Sequence, residues 1–182
     1  MNGRVTLRSE IALNTRVDGP RDRPWLVLSN SLGADLSMWD PQIPLLTKRY
    51  RVLRYDTRGH GQSDVPPGPY SLDDLVRDVR ELFLAFGIQR ASFMGLSMGG
   101  MTGLGLATLH PERIERVICA DARADAPKEF KAMWDKRIAT IEHGGLEAIV
   151  DGIMAMWFHV PSKRPYKAKG RSSNQQPTYR AE

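Results

Sequence analysis

The stretch ASFMGLSMGG, residues 91–100, constrains the fold more than any other part of the chain. A short apolar run is interrupted by Gly95-Leu96-Ser97-Met98-Gly99 and followed at once by the small-residue run Gly100-Met101-Thr102-Gly103-Leu104-Gly105-Leu106-Ala107. The physical reading is strand, sharp turn and helix, with Ser97 at the apex. Gly95 and Gly99 flank the serine because so tight a turn brings neighbouring backbone too close for a Cβ. At the apex the hydroxyl projects from the C-terminal edge of a sheet, and the following helix points its N-terminus at negative charge developing there. Gly100, Gly103 and Gly105 are expected to let that helix lie close on the sheet. The competing reading is a glycine-bearing turn that contains a serine by chance. The strand before and the helix after weigh for a nucleophile elbow.

The preceding residues supply the sheet that such a turn needs. Residues 4–8 and 11–17 alternate in polarity as two antiparallel strands do, and Asp18-Gly19-Pro20 reads as the turn that closes them. Trp25-Leu26-Val27-Leu28 is continuously apolar, as in a strand buried on both faces, and runs into the polar loop Ser29-Asn30-Ser31-Leu32-Gly33-Ala34-Asp35. Met38, Trp39, Ile43, Leu45 and Leu46 follow at helical spacing. Residues 50–55 read as another strand, ending in Asp56-Thr57-Arg58-Gly59-His60-Gly61-Gln62-Ser63-Asp64. Ser71 is a suitable N-cap for a helix whose stripe is Leu72, Leu75, Val76, Val79, Leu82, Phe83 and Phe86, with Gly87 as its stop. Residues 114–120 form one more strand. This alternation predicts an α/β fold with a mostly parallel, doubly wound sheet, whose reactive groups collect beyond the strands' C-terminal ends. The loop after Leu28, the turn at Asp56 and Ser97 are therefore expected on one edge.

After Asp121 the pattern changes, and three segments are expected: a core over 1–122, a helical lid segment over 123–158 and a basic, unstructured tail over 159–182. Pro127 fits a first helical turn, with Phe130, Trp134, Arg137, Ile138 and Ile141 at helical spacing until Gly144-Gly145. A second helix carries Leu146, Ile149, Val150, Ile153 and Trp157. Six of the 26 lysines and arginines, against one of the 21 acidic residues, lie in the tail, so residues 1–158 are electrically balanced and the net charge of +5 is local. No nucleic-acid partner is expected from a short basic tail without a stacking platform. Cys119, the single cysteine, sits in the apolar run Val117-Ile118-Cys119-Ala120 and reads as a buried strand residue; no disulfide framework is possible. With charges throughout residues 1–10 and no apolar window of membrane length, the expected location is cytoplasmic, with no membrane partner.

Together, the Ser97 elbow, the Asp56-to-Asp64 loop and the Ser29-Asn30-Ser31-Leu32-Gly33 loop resemble the α/β-hydrolase superfamily. More narrowly they are similar to the 3-oxoadipate enol-lactonases, over about residues 5–158. Many α/β-hydrolases carry His-Gly where this chain has Asn30-Ser31, and the enol-lactonases share that departure. The resemblance implies that Ser97 attacks a lactone carbonyl and that the backbone N–H groups of Leu32 and Met98 form the oxyanion hole. It implies a small-molecule lactone or ester as substrate and no cofactor or metal. The substrate's carboxylate calls for a cation on the lid, and Arg137 is the candidate; a solvated helix-surface arginine is an equal reading. Trp134 and Trp157 are pocket candidates that read as well as ordinary core aromatics. His60 reads as a loop-packing residue rather than the base.

In this fold a carboxylate and then a histidine follow the nucleophile, on loops after strands beyond the lid. Residues 123–182 show no such strand, and His110, His143 and His159 occupy none of the required places. The expectation is therefore an enol-lactonase sequence truncated or shifted in reading frame near Phe158, lacking the catalytic acid and base. Its last apolar strand would be an uncovered sheet edge open to self-association. An esterase or acyltransferase of other specificity, or a non-catalytic interaction protein, are the alternatives.

Overall fold

Alternation of side chains across a pleated sheet explains how one short strand feeds two cores. Val27, Leu53 and Phe93 face one side, where they are buried with Val76, Val79, Leu82, Phe83 and Leu106. Their neighbours Leu26, Leu28 and Val52 face the other side, with Trp39. The strands are β1 (Asn2–Thr6), β2 (Ala12–Asp18), β3 (Trp25–Ser29), β4 (Arg51–Tyr55), β5 (Ala91–Leu96) and β6 (Ile114–Ala120). They form one sheet in the order β1-β2-β4-β3-β5-β6. β1 and β2 pair antiparallel, β2 pairs antiparallel with β4, and β4, β3, β5 and β6 run parallel. The result is the α/β-hydrolase architecture, a mixed and mostly parallel sheet with helices in its crossovers. In this computed structural model residues 2–157 are described; the expected tail of 159–182, His159 included, lies outside the described residues. They divide into two compact units at Ala124/Asp125.

In the first unit the helices are α1 (Ile43–Leu46), α2 (Leu72–Ala85) and α3 (Met98–Leu109). α2 begins with a reciprocal capping box: the Ser71 hydroxyl accepts from the Asp74 amide, and the Asp74 carboxylate accepts from the Ser71 amide. Its apolar stripe is buried from Leu75 to Phe83, while Leu72 is exposed at the first turn and Phe86, at the C-cap, is partly buried. Gly87 follows at φ +65, the left-handed stop that glycine takes without strain.

Four local readings change. The β1–β2 link is the tight turn 7–11, where Leu7 N–H donates to Ile11 C=O at 2.9 Å, so Asp18-Gly19-Pro20 leads out of β2 instead. The segment after β3 is not one helix but a 3₁₀ turn, Leu36–Trp39, and the four-residue α1, because Pro41 and Pro44 each remove a backbone donor. Gly105 serves helix–helix packing, since a Cβ there would meet Val76 of α2 at 2.9 Å, whereas Gly103 meets Phe93 of the sheet at 2.7 Å. Cys119 is only partly buried, in keeping with the place of β6 at the edge of the sheet among the described residues.

The second unit contains α4 (Lys128–Gly144), a 3₁₀ turn (Leu146–Ile149) and α5 (Val150–Trp157). Gly145, at φ +71, ends α4, and the second predicted helix is split at Val150. No described residue of these three elements is buried.

Candidate active site

Ser97 is the single residue between the end of β5 and the start of α3, with φ 52° and ψ −116°. A β-carbon residue in that region carries strain on the order of 1–3 kcal/mol and persists only where its surroundings enforce it. Here they do. The Ser97 amide donates to Ala120 C=O at the end of β6, at 2.9 Å, and the Ser97 carbonyl accepts from Met101 at 3.0 Å. Two residues on, the Gly99 amide donates to Asn30 C=O at 3.0 Å. The two glycines of the motif are required by close approach: a Cβ on Gly95 would overlap the Gly99 carbonyl, and one on Gly99 would overlap the Ser29 carbonyl.

Topology places this turn. From β3 the chain crosses to β4 on one side, and from β5 it crosses to β6 on the other. The carboxyl ends of the adjacent strands β3 and β5 therefore flank the point where the winding reverses, the usual ligand crevice of a doubly wound sheet. Ser29 is in register with Gly95, so the loop leaving β3 starts beside the elbow. The expectation of a shared edge holds for the loop after Leu28, for Asp56 and for Ser97.

Leu32 and Met98, the two expected oxyanion donors, are both half-buried. Among the described residues neither backbone N–H donates a hydrogen bond, which leaves both free to meet a substrate oxygen. The loop bearing Leu32 is fixed at several points. The Asn30 side chain, wholly buried, donates through Nδ2 to Tyr55 C=O and accepts through Oδ1 from Trp39 Nε1, both at 2.9 Å. Further along, the Asp56 carboxylate accepts from the Leu36 amide at 2.7 Å, the Gln62 amide at 2.8 Å and Asn14 Nδ2 at 2.9 Å. Arg54, also buried, donates to Leu36 C=O at 3.1 Å and pairs with Asp18 and Asp40.

The loop of residues 56–64 is braced from below by a buried ion pair. Arg58 grips Asp78 of α2 through Nε and Nη2, each at 2.7 Å. Burial pushes the Asp78 carboxyl above the ordinary carboxylate range, a rise that Arg58 opposes but does not cancel. The same bond to Asp78 raises the Arg58 guanidinium against its own burial. The Tyr55 hydroxyl, held against Ser29 Oγ at 2.7 Å, is pushed far up by burial.

No described side chain hydrogen-bonds Ser97 Oγ. His60 Nδ1 lies 3.0 Å from Arg58 C=O within its own loop. His110 caps the opposite end of α3, about 20 Å from Ser97 at 1.5 Å per residue. In the second unit His143 Nδ1 lies 2.7 Å from Ala139 C=O. There, too, the Arg137 guanidinium stacks on the Trp134 ring at 4.5 Å, and Trp134 meets Phe130 edge-on at 6.1 Å. Trp157 is exposed at the end of α5. Among the described residues no group of His, Cys, Asp and Glu could hold a metal ion, and no helix is long and apolar enough to cross a membrane.

The sequence alone gives no supporting role to Trp39, Tyr55, Arg58 or Asp78, and names Asn30 and Asp56 only as parts of their loops, without their partners. One signal was available. Asn30 and Asp56 each stand just past an apolar strand run at the sheet's C-terminal edge, where a polar side chain must either be solvated or find a specific partner.

A model of the alpha/beta hydrolase fold family matches residues 24–144. The chain is 44% identical over 149 residues to 3-oxoadipate enol-lactonase 2 of Acinetobacter baylyi, covering 82% of this chain and 55% of that protein. It is 35% identical over 130 residues to the putative carbamate hydrolase RutD of Caulobacter segnis, covering 70% of this chain and 49% of that protein. The crystal structure of the enol-lactonase from Burkholderia xenovorans LB400 superposes with a TM-score of 0.81 at 45% identity, over 86% of this chain and 60% of that one. The chain thus spans about half the length of the curated relatives it matches. With the elbow, the switch-point crevice and the family model in agreement, the chain belongs to the alpha/beta hydrolase fold family.

Proposed function

We propose that this chain carries the nucleophile and oxyanion half of a serine-hydrolase site that opens the ring of 3-oxoadipate enol-lactone to give 3-oxoadipate. The observation that carries the reading is Ser97 at φ 52° between β5 and α3, beside the two unengaged amides of Leu32 and Met98. The similarity to enol-lactonases supplies the substrate. Ser97 Oγ forms a bond to the lactone carbonyl carbon, and the carbonyl oxygen becomes an oxyanion that accepts from the two amides. Each such donor is worth a few kcal/mol in the transition state. Collapse breaks the ring C–O bond. The leaving enolate takes a proton and becomes the ketone, while the acyl group stays on Ser97. Water then attacks the acyl carbon, the Oγ–C bond breaks, and Ser97 regains its proton. The α3 N-terminus adds its dipole to the oxyanion site. Arg137, stacked on Trp134, is the proposed partner of the substrate carboxylate, with Trp134 and Trp157 as apolar wall.

A serine hydroxyl is a weak nucleophile until a base takes its proton, and no described residue does so. The test is a fluorophosphonate probe on the purified 182-residue chain. Slow labelling is expected at Ser97, abolished by Ser97→Ala and accelerated when a family-type C-terminal segment follows Phe158. That extended protein should open enol-lactone faster than it hydrolyses a simple aryl ester. Labelling that survives Ser97→Ala would refute the nucleophile, and preference for the aryl ester would move the substrate to the esterase class.

A further inference from the structure

We propose that Asn30 is a positioning residue that sets the spacing between the two oxyanion amides, a role that rests on the oxyanion reading above. The shortest connection between those amides runs through it. Met98 is one residue before Gly99, whose amide donates to the Asn30 carbonyl at 3.0 Å, and Leu32 is two residues after Asn30. One hydrogen bond therefore joins the elbow to the oxyanion loop, and its geometry depends on how the Asn30 peptide is turned.

The side chain fixes that turn. Trp39 Nε1 can only donate and the Tyr55 carbonyl can only accept, so the amide has one orientation: Oδ1 to the indole and Nδ2 to the carbonyl, at 2.9 Å each. The partners come from the end of β4 and from the 3₁₀ turn after the loop, two segments whose own places are set by the sheet and by the Leu26–Leu28–Val52 cluster. Asn30 is wholly buried, so water cannot replace either bond. A hydrocarbon side chain could fill the space but would leave the Trp39 donor and the Tyr55 acceptor unpaired. The pair would relax by rotating the peptide whose carbonyl holds Gly99. Gly99 leaves little slack on the other side, since even a Cβ there would fall 2.3 Å from the Ser29 carbonyl oxygen.

The test follows fluorophosphonate labelling of Ser97 in the full chain, in which an Oγ–P bond forms, fluoride leaves and the hydroxyl proton passes to solvent. Rate and half-saturating probe concentration are measured for wild type, Asn30→Ala, Trp39→Phe and Thr15→Val. Thr15 is a comparably buried residue on β2, in register with Tyr55 but with β4 and β3 between it and the elbow strand, and its hydroxyl donates away from the site to Gly3 C=O of β1 at 2.8 Å. Each variant is assayed well below its own unfolding midpoint. Asn30→Ala should lower the limiting rate roughly tenfold to a hundredfold, short of the loss of a whole oxyanion donor, with half-saturation unchanged. Trp39→Phe should lower it less and in the same direction, and it carries the test if Asn30→Ala does not fold. Thr15→Val should label at the wild-type rate. Wild-type rates in both site variants, or slowing by Thr15→Val equal to theirs, would overturn the proposal while leaving Ser97 as the nucleophile. A wild-type chain that labels elsewhere than Ser97 would instead overturn the reading on which it rests.

Discussion

The two units of the chain differ in where their order comes from. In the first, 2–124, nineteen apolar side chains are buried, and polar groups at the same depth, such as Asn30, Asp56 and Asp78, find specific partners. In the second, 125–157, no described residue of the helices is buried, and Leu146, Val150, Met156 and Trp157 are exposed. The first unit can fix reacting groups to within fractions of an ångström because close packing resists displacement. In the second, the apolar residues of α4 and α5 form no buried core among the described residues. Of the two, only the first unit packs its described residues tightly enough to hold Ser97 and the Leu32 and Met98 amides in a fixed geometry.

The largest effect should separate the units directly. Phe93 is fully buried between Gly103 and the sheet's main core, so Phe93→Ala should cost about 3–5 kcal/mol. Ile138→Ala on α4, where the side chain is nearly half exposed, should cost less than about 1 kcal/mol. Urea unfolding of the two variants measures both, and equal costs would erase the contrast.

Next in size is the buried pair beneath the 56–64 loop. Arg58→Met leaves Asp78 uncompensated in a site where burial already raises its carboxyl, at a cost of about 3–5 kcal/mol. Because that carboxyl then titrates still higher, the variant should regain stability as pH falls toward the range where Asp78 is protonated. Arg58→Met/Asp78→Leu should recover most of the loss at neutral pH. A double variant no better than the single one would mean that Arg58 acts mainly through Tyr70, over whose ring its guanidinium sits at 5.6 Å.

The same contrast explains what the sequence discloses. Ser97 is legible because its signature is local: strand, two glycines and helix lie within about twenty residues, and each is dictated by near neighbours. The capping box at Ser71 and the stop at Gly87 are legible for the same reason. The role of Asn30 is not, because its partners Trp39 and Tyr55 are 9 and 25 residues away and are brought near by the 3₁₀ turn and by the neighbouring strand β4. Gly105 packs on α2 and not on the sheet, because glycine spacing along a helix shows that something approaches closely, not which element does. Trp134, Arg137 and Trp157 are placed on their helices, yet helical position alone does not say what such a residue meets.

Arg137 sharpens that last point. In the C-terminally extended protein, Arg137→Gln should raise KM for the enol-lactone about tenfold, the worth of one charge-assisted hydrogen bond, and leave kcat within about threefold. A neutral aryl ester should be unaffected. Equal losses on both substrates would show that Arg137 supports Trp134 by stacking and does not read the carboxylate.

The smallest effect concerns Asp74, at the start of α2. Its carboxyl is held below the ordinary value of 3.8, chiefly by the Ser71 hydroxyl and then by the Ser71 amide, with Arg58 and Arg77 adding attraction. A carboxyl lowered on folding stabilises the native state fully above its unfolded value and loses that contribution as pH falls through the folded one. Asp74→Ala removes the reciprocal cap and should cost about 1 kcal/mol at pH 7. At pH 2 to 3 wild type and variant should converge, since protonation takes from the wild type much of what the substitution removes. Urea unfolding at the two pH values reads the difference. A gap as large in acid as at neutrality would mean that α2 is held by its buried stripe alone, with the cap contributing shape rather than charge.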